Sequence, residues 1–473
     1  MCFSSDLKKS FSCLISVQQP GPPADRAAVA LLVYIALFPV LLLFGLLLPP
    51  DWQRFGFQWQ ALGLTAFIAI SVLFSDSTIR DRYCSWFVSS RAWLFVLLAL
   101  LYLAVMTFRY GVEPQRVSLA SGYLFAVLSP VLLWISFSGV RLLHRFVLSA
   151  FLLLVLLVEN TFLVVYRINE TSPNAALMMR GDLPRLFINI RDGNAWAIGA
   201  SVTAFSLTLL LVQASPVALK SMCRSRLFFV TLFSWFLVFF NGWITQGRGL
   251  FVAIFCGIVV CFLVEKTRFF SFALLPVFAG FLLSFGFYKA VSLLACGFAG
   301  CPESMIDRFL SDASLVRHGR LDIWSAWIRS GLSHSFFWGH GLGVKPDSLS
   351  IYPVNTPHNL FVQIFSDSGF FGVLMSALLF LSFVHVLRRS AFVVGGLGIY
   401  SLVASLLYLS VAGVLFWAVG VWLVFLIPIA LQKNEESLMD SSSRFGVPWF
   451  LVSGLSLVGF VALVVLLAEK ISF

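Results

Sequence analysis

Long apolar runs, separated by short charged segments, recur along this chain and constrain its fold more than any other feature of the sequence. Each run has about 16 to 23 residues, the length that an α-helix needs to cross the hydrocarbon core of a bilayer. A segment surrounded by lipid must satisfy its own backbone hydrogen bonds, and an α-helix does so. We therefore predict an all-α integral membrane protein.

The composition agrees with a chain whose surface is largely turned away from water. Of the 473 residues, 60% are hydrophobic and 11% are charged, whereas soluble domains carry roughly 25% charged residues. The net charge is +11. Lysine and arginine gather in the cytoplasmic loops of membrane proteins in any case, so this charge needs no nucleic acid to explain it. Membrane lipids are expected partners, and nucleic acid is not.

The apolar runs predict a bundle of 12 to 13 transmembrane helices. The two numbers of helices differ because residues 391–431 fit either two spans or one re-entrant unit. Residues 1–26 are polar and are interpreted as a cytoplasmic tail. Transmembrane helices then fill 27–286, a long outer loop fills 287–358, and C-terminal helices fill 359–473. The predicted spans are 27–49, 59–74, 92–108, 118–138, 146–166, 195–213, 227–244, 249–264, 269–286, 369–387, 391–409, 412–431 and 448–467.

Basic residues follow the positive-inside rule when the N-terminus is placed in the cytoplasm, but two outer loops are unusually basic. The cluster Lys220/Arg224/Arg226 falls on the cytoplasmic side, for example, whereas loops 167–194 and 287–358 fall outside. Attraction to anionic lipid headgroups explains basic outer loops. An anionic ligand such as a phosphate explains them equally well, and composition alone leaves both interpretations open.

The long outer loop contains an amphipathic helix. Apolar residues recur there at three- and four-residue spacing, which predicts a helix of about three turns. Arg320 stands near its N-terminal end, where the helix dipole favours an anion. Gly331 is interpreted as the residue that ends it. The apolar residues are Leu321, Trp324, Trp327 and Ile328.

A glycine-rich turn and a second helix follow. The turn, Phe337–Gly343, contains three glycines, which let two backbones approach closely. The next helix is predicted to begin at His358, at the outer surface of the bundle, and to end near Gly369.

The order of these motifs resembles that of the O-antigen ligase and polymerase superfamily. An Arg-x-x-x-Trp segment, the glycine-rich turn, a His-Asn pair and a Gly-x-x-Gly segment follow one another. Gln246–Leu250 is similar to the Ser-Arg-Gly motif of that family, with Gly247 in place of the more usual serine. Phe187–Trp196 is similar to its Phe-x-Asn-x-Arg segment. The resemblance covers roughly residues 185–375.

The resemblance implies a glycosyltransferase of the bacterial inner membrane with its active site in the periplasm. The implied reaction moves a glycan from undecaprenyl diphosphate to an acceptor hydroxyl. An O-antigen ligase of lipopolysaccharide biosynthesis, which uses a lipid A–core sugar as acceptor, ranks first. An O-antigen polymerase and a protein O-oligosaccharyltransferase share the donor and differ in the acceptor. A lipid-linked glycan flippase is the alternative of another class, but the sequence has no internal repeats of the transporter kind.

Three arginines and one histidine are the predicted site residues. Arg191, Arg248 and Arg320 would bind the diphosphate, because a guanidinium stays protonated and grips phosphate oxygens through two donors. Arg248 and Arg320 would also stabilise the charge of the leaving group. His358 would accept the proton of the attacking hydroxyl or orient the acceptor. Single displacement is the predicted mechanism, with no metal and no cofactor, and the oligomeric state is not predicted.

Several other polar residues have a structural interpretation. Cys296 and Cys301 fall on the outer side, where oxidising conditions allow a disulfide, with two free thiols as the alternative. Glu159 lies within a predicted span and is interpreted as hydrogen-bonded to a neighbouring helix. Asp322 and Asp367 are kept as carboxylates of the site region without an assigned role. The remaining histidines of the long loop are interpreted as solvent-facing or structural, and they are His318, His334 and His340.

Overall fold

The computed structural model of the chain gives the bounds of seven α-helices, and no strand occurs within the residues it describes. Those residues are 97, 101, 104, 105, 108, 158, 192–214, 226–244, 247–265, 270–296, 320–341, 357, 359–389 and 395–412. The helices are α1 (Asp192–Ala214), α2 (Arg226–Ile244), α3 (Arg248–Glu265), α4 (Phe270–Cys296), α5 (Arg320–His334), α6 (Leu360–Arg389) and α7 (Gly395–Ala412).

Helices occupy the predicted spans in this part of the chain, and the bounds of one of them differ clearly from the prediction. Helices α1, α2, α3 and α7 begin and end within about one turn of predicted spans. Helix α4 was predicted to end at residue 286 but continues to Cys296, so the first ten residues assigned to the long outer loop are helical. The helix predicted to end near Gly369 and the span predicted from there are the two halves of α6, which meet at a kink at Gly369. The other predicted spans lie wholly or almost wholly outside the described residues.

Apolar side chains cover both the buried and the exposed faces of the longer helices. Phe233 on α2, Leu263 on α3 and Leu282 on α4 are each more than half exposed. Within the described residues, α2 is the one helix long and apolar enough to cross a membrane, and the apolar segments of α1, α3, α4, α6 and α7 are shorter. A helix that is apolar all round is typical of a membrane span or of the core of a large protein.

Helix α1 lies at the centre of the packing. It contacts α2 on one side and α7 on another, while α3 packs along α7 and α4 packs along α2. Buried hydroxyl groups on these helices accept hydrogen bonds from aromatic side chains, which satisfies polar groups that would otherwise be costly to bury. The bonds are Tyr400 Oη to Ser201 Oγ (2.6 Å), Trp235 Nε1 to Thr208 Oγ1 (2.9 Å) and Trp243 Nε1 to Ser284 Oγ (3.1 Å).

An aromatic cluster fills the space between α2, α3 and α4. The ring of Phe239 stacks on Phe251 with centroids 5.9 Å apart and meets Phe281 edge-on at 5.4 Å. Aromatic rings prefer these offset and edge-to-face arrangements. Gly280 lets α4 approach α2 closely, because a Cβ there would lie 2.6 Å from the Cβ of Trp235. Many phenylalanine side chains of this region therefore serve packing between helices.

Helix α5 is amphipathic, as predicted, and packs on the N-terminal half of α6. Its apolar face, with Ile323 and Trp327, is buried against Val362 and Phe365 of α6, whereas Asp322 is exposed. The prediction that Gly331 ends this helix was wrong, since α5 continues to His334. Gly331 instead lets the two helices meet, because a Cβ there would lie 3.1 Å from the Cα of Ser366.

Candidate functional site

Arg248 is the first residue of α3 and lies where three helix ends meet. The turn before it is tight, because the N–H of Gly247 donates to the carbonyl of Gly242 at 3.0 Å. The first residues of α1 reach the same place, since Asn194 contacts Gly247. Arg248 is half-buried there. The N-terminus of a helix favours an anion, and this helix begins with a guanidinium.

Two buried amides hold these helix ends together. Asn241, near the end of α2, donates from Nδ2 to Oδ1 of Asn194 on α1 at 3.3 Å. Asn241 is fully buried and Asn194 is 2% exposed. The amide of Asn194 lies against the backbone of Gly247, because a Cβ at that position would come within 2.4 Å of its Nδ2 atom. The glycine in place of the more usual serine therefore has a local reason, since Asn194 occupies the space that a side chain would need.

A second polar region forms where the loop between α5 and α6 crosses a kink in α6. Gly369, inside α6, has φ 62° and ψ −159°, which breaks the regular helix. The residues just after the kink donate to carbonyls of the loop, and the carbonyls of the preceding turn accept from N–H groups of the loop. The four bonds are Phe370 N to Phe336 O (2.8 Å), Phe371 N to Phe337 O (3.0 Å), His340 N to Ser366 O (2.9 Å) and Gly341 N to Asp367 O (2.9 Å).

Two glycines make this crossing possible. Gly339 in the loop and Gly369 in the helix both have positive φ, a region that residues with a Cβ rarely adopt. A Cβ on Gly339 would lie 2.4 Å from the carbonyl oxygen of Ser366, and one on Gly369 would lie 2.5 Å from the backbone of Phe337. The close backbone approach predicted for the glycine-rich turn is therefore confirmed, and its partner is the Gly-x-x-Gly segment.

The side chain of His340 is held inside this crossing. Its Nε2 atom lies 2.6 Å from Ser366 Oγ, and Ser366 Oγ donates to the carbonyl of Trp327 at 2.9 Å. A hydroxyl has one proton to donate, so Ser366 accepts from the protonated Nε2 of His340. Nδ1 then carries the lone pair and has no hydrogen-bond partner among the described groups. His340 is thus a neutral imidazole whose tautomer is set by its neighbours.

Burial keeps His340 neutral. Removal from water lowers the pKa of its imidazole to about 4, with a smaller contribution from the charge of His334, while the backbone at Gly341 opposes the shift. At neutral pH the ring therefore carries no charge and serves the structure of the crossing. This agrees with the structural interpretation made from the sequence. His334 is exposed, and His318 lies outside the described residues.

The chain on either side of position 358 is anchored to α5 and α6. The indole Nε1 of Trp324 donates to the carbonyl of Pro357 at 2.8 Å. Asn359 caps α6, since its Oδ1 accepts from the N–H groups of Phe361 (3.0 Å) and Val362 (3.1 Å). An asparagine directly before an apolar run is a recognised helix start, and this signal in the sequence identifies Asn359, rather than the preceding histidine, as the cap.

Through Trp324, the chain before α6 is linked to the beginning of α5, where Arg320 lies. The two residues are four positions apart in α5, so they lie on the same side of the helix, one turn from each other. Arg320 is the first residue of α5. The start of α5 and the start of α6 therefore lie side by side, which neither motif alone indicates. The hydrogen bond from Trp324 to Pro357 was not predicted from the sequence, although the Arg-x-x-x-Trp segment contains this residue.

An apolar cavity lies beside the loop. It has a volume of about 630 Å³ and is lined by Ala104, Val105, Phe108 and Trp338. Three of these residues belong to the predicted span 92–108. Loop 335–341 therefore has a polar side at His340 and an apolar side at Trp338.

The predicted site residues are only partly described. Arg248 begins α3, Arg320 begins α5, and Cys296 ends α4. Arg191, His358, Cys301 and Glu159 lie outside the described residues. Arg191 directly precedes α1, whose beginning meets Gly247. Two pairs of segments are therefore brought together, α1 with α3 and α5 with α6, and the arrangement of all four side chains stays a prediction. The candidate disulfide likewise stays a prediction.

The carboxylates differ in their surroundings. Asp322 is exposed in the first turn of α5, and Asp367 is 1% exposed next to the kink of α6. Its backbone carbonyl takes part in the crossing.

Residues 229–377 match the family model described as O-Antigen ligase. The matched region begins in α2, includes Arg248 and the whole of α5, and ends after the kink of α6. The match supports the resemblance to the O-antigen ligase and polymerase superfamily that the motifs predicted. The proteins of this family are membrane proteins, and the match implies a glycosyltransferase of the ligase or polymerase type that acts on lipid-linked glycans. No curated protein matched the chain.

Proposed function

From its place in the O-antigen ligase and polymerase superfamily, we propose that this chain transfers a glycan from undecaprenyl diphosphate to a sugar of lipid A–core. The reaction takes place at the periplasmic face of the bacterial inner membrane. The observation that carries the proposal is the family match over residues 229–377 together with the position of Arg248 inside it. This arginine begins a helix, is half-buried, and lies beside the helix that follows Arg191.

Contacts between helix ends support a shared site for the proposed residues. The α1–α3 contact brings the segment of Arg191 next to Arg248. The bond from Trp324 to Pro357 brings the segment of Arg320 next to the residue that precedes His358. In the proposed site the arginines bind the diphosphate from more than one side, as bidentate guanidinium groups do with phosphate oxygens. The apolar cavity beside Trp338 offers room for part of a lipid chain.

The chemistry is a single displacement at the anomeric carbon. The acceptor oxygen forms a bond to this carbon while the bond from the carbon to the diphosphate oxygen breaks. The hydroxyl proton passes to His358, which acts as the base or holds the acceptor in line. Negative charge accumulates on the departing undecaprenyl diphosphate, and fixed arginines stabilise it more in the transition state than in the bound donor.

Exposed apolar side chains support a membrane location. Those of α2, α3 and α4 point away from the bundle, and the proteins of the family are membrane proteins. The basic clusters place the starts of α3 and α5 on the periplasmic side in the predicted topology. A lipid-linked donor is delivered to that surface.

Substitution of the proposed residues tests the proposal. Arg248→Ala and His358→Ala are expected to reduce transfer in a purified assay by at least about a hundredfold, the usual cost of losing one such group. Arg226→Ala and His334→Ala change exposed residues elsewhere and serve as matched controls that retain activity. Activity is expected to persist with a chelator and without nucleotide. Equal activity of Arg248→Ala and Arg226→Ala would overturn the proposal.

The acceptor is identified by deleting the gene and examining the glycans. Core without O-antigen, together with accumulated lipid-linked polymer, indicates the ligase. Core carrying a single repeat unit indicates the polymerase. Normal lipopolysaccharide with an unglycosylated protein indicates the oligosaccharyltransferase.

A further inference from the structure

We propose that Asn194 is a positioning residue for Arg248, which it holds at a fixed place relative to the segment that carries Arg191. The inference rests on the proposed function, because it assigns to Asn194 the placement of a diphosphate-binding arginine. It adds a residue that does not itself need to touch the substrate.

Burying the amide groups of Asn194 and Asn241 costs free energy. Asn194 and Asn241 are almost completely buried in an apolar bundle, and burying an amide is unfavourable unless it is hydrogen-bonded. The bond between them is 3.3 Å long, near the upper limit for a good hydrogen bond. This bond joins the start of α1 to the end of α2, so the pair fixes these two helix ends relative to each other.

Asn194 also contacts Gly247, the residue that precedes Arg248. The amide of Asn194 lies directly against this glycine, whose backbone is fixed on both sides. Its N–H donates to the carbonyl of Gly242, and its carbonyl accepts from the N–H of Leu250. The position of the Arg248 backbone therefore depends on where Asn194 sits, since these residues are adjacent in the chain. A smaller side chain at 194 removes the surface against which the turn packs.

Asn194 belongs to the first turn of α1. It lies three residues after Arg191 in the chain. One side chain thus contacts the turn that carries Arg248 and belongs to the segment that carries Arg191. A diphosphate has two phosphoryl groups at a fixed separation, so two guanidinium groups must keep a matching separation to bind both.

The variant Asn194→Ala tests the inference against a matched control on the same pair of helices. Thr208→Val removes a different hydrogen bond between α1 and α2, the one from Trp235. It lies 14 residues further along α1, about 21 Å away. Both variants are expected to lower the thermal unfolding midpoint.

The kinetic constants separate positioning from packing. Asn194→Ala is expected to lower kcat/KM for the lipid-linked donor at least about tenfold, since small misplacements of a catalytic group have effects of this size. Thr208→Val is expected to change kcat/KM less than about twofold, as remote substitutions act additively and apart from the site. Equal kinetic effects of the two variants would show that Asn194 contributes packing alone and would overturn the inference.

A double-variant cycle tests whether Asn194 acts through Arg248. In the background of Arg248→Lys, which keeps a charge but loses the planar guanidinium, Asn194→Ala is expected to add less than about a twofold loss. A full additional tenfold loss would contradict the positioning role.

The contact itself is tested by Gly247→Ala. This variant is expected to lose activity because its Cβ overlaps the Asn194 amide, and combining it with Asn194→Ala is expected to restore activity to that of Asn194→Ala. No restoration would contradict the contact. If the wild-type chain transfers no glycan at all, the proposed function fails, whereas an active wild type with a kinetically silent Asn194→Ala rejects the positioning role alone.

Discussion

The surroundings of His340 keep its imidazole uncharged. It is 6% exposed, donates from Nε2 to a serine that is itself engaged with Trp327, and has its pKa lowered to about 4 by burial. The fold therefore binds the imidazole in its neutral form and excludes the charged form. Such a residue suits a support, whereas a base that exchanges protons with a substrate needs access to it.

The lowered pKa predicts how stability changes with pH. The folded value of about 4 lies below the usual value of 6.5, so the unfolded chain binds a proton more readily than the folded chain between these values. The free energy of unfolding is therefore highest above about pH 6.5. It falls by up to about 3 kcal/mol as the pH is lowered towards 4. Thermal unfolding of detergent-purified protein between pH 4 and 7.5 measures this effect.

The matched variants are His340→Gln and His334→Gln. Glutamine at 340 can still donate to Ser366 and does not titrate, so the difference from wild type should vary with pH in the predicted direction. His334 is exposed, and its variant should follow the wild-type profile. Parallel profiles for His340→Gln and wild type would contradict the assignment.

The kink in α6 replaces hydrogen bonds within the helix by hydrogen bonds to loop 335–341. The Gly-rich turn and the Gly-x-x-Gly segment are far apart in the chain, but each glycine provides the space that the other segment needs. The kink also satisfies the N–H groups of Phe370 and Phe371 with loop carbonyls. The second half of α6 thus begins with these donors occupied by the protein itself.

Alanine at Gly369 is expected to open this crossing. The residue has φ 62°, and its Cβ would meet the backbone of Phe337 and Trp338 at 2.5 Å, which cannot move aside as a side chain does. The expected loss of stability is more than about 2 kcal/mol. Protease cleavage in loop 335–341 and the unfolding midpoint both measure it.

Gly286→Ala is the matched control for this variant. Gly286 lies in α4 with nothing within 4 Å of its added Cβ, so alanine there should be neutral or stabilise the helix by up to about 1 kcal/mol. Similar losses of stability in the two variants would show that the crossing has no special role.

Much of each element could be predicted from the sequence because apolar runs and charged boundaries are local signals. Arg226 and Arg248 begin helices whose bounds agree with predicted spans. The end of α4 could not be predicted in this way, because the continuation beyond residue 286 depends on a partner. Phe287 packs against Phe236 and Phe240 of α2, with ring centroids 5.7 and 5.2 Å away.

The candidate site shows the same division between local and non-local information. Arg248 and Arg320 were identified from motifs, and each proves to begin a helix. The contacts of Asn194 and Trp324 were not predicted, because their partners, Gly247 and Pro357, are distant in sequence and no spacing relates them. Positioning residues of this kind are visible only when the helices are packed.

For the whole molecule, the contacts require that certain helix ends lie on one side of the bundle. The start of α1, the end of α2 and the start of α3 meet at Asn194. The end of α1 at Ala214 and the start of α2 at Arg226 therefore lie at the opposite end of these helices. The positive-inside rule predicts that the end with Arg226 lies in the cytoplasm, because the basic cluster Lys220/Arg224/Arg226 belongs to it. In the proposed topology Arg248 then faces the periplasm.

This arrangement predicts the accessibility of epitope tags inserted into the full-length chain. A tag between Pro302 and Glu303, in the long loop, should bind antibody on intact spheroplasts. A tag between Arg224 and Ser225 should bind only after the membrane is permeabilised, as a cytoplasmic marker protein does. Glycan transfer should be retained in both tagged chains, so that the reading refers to folded protein. The reverse pattern of accessibility would place Arg248 at the cytosolic surface, where a periplasmic acceptor such as lipid A–core is not presented, and the proposed transfer could not occur.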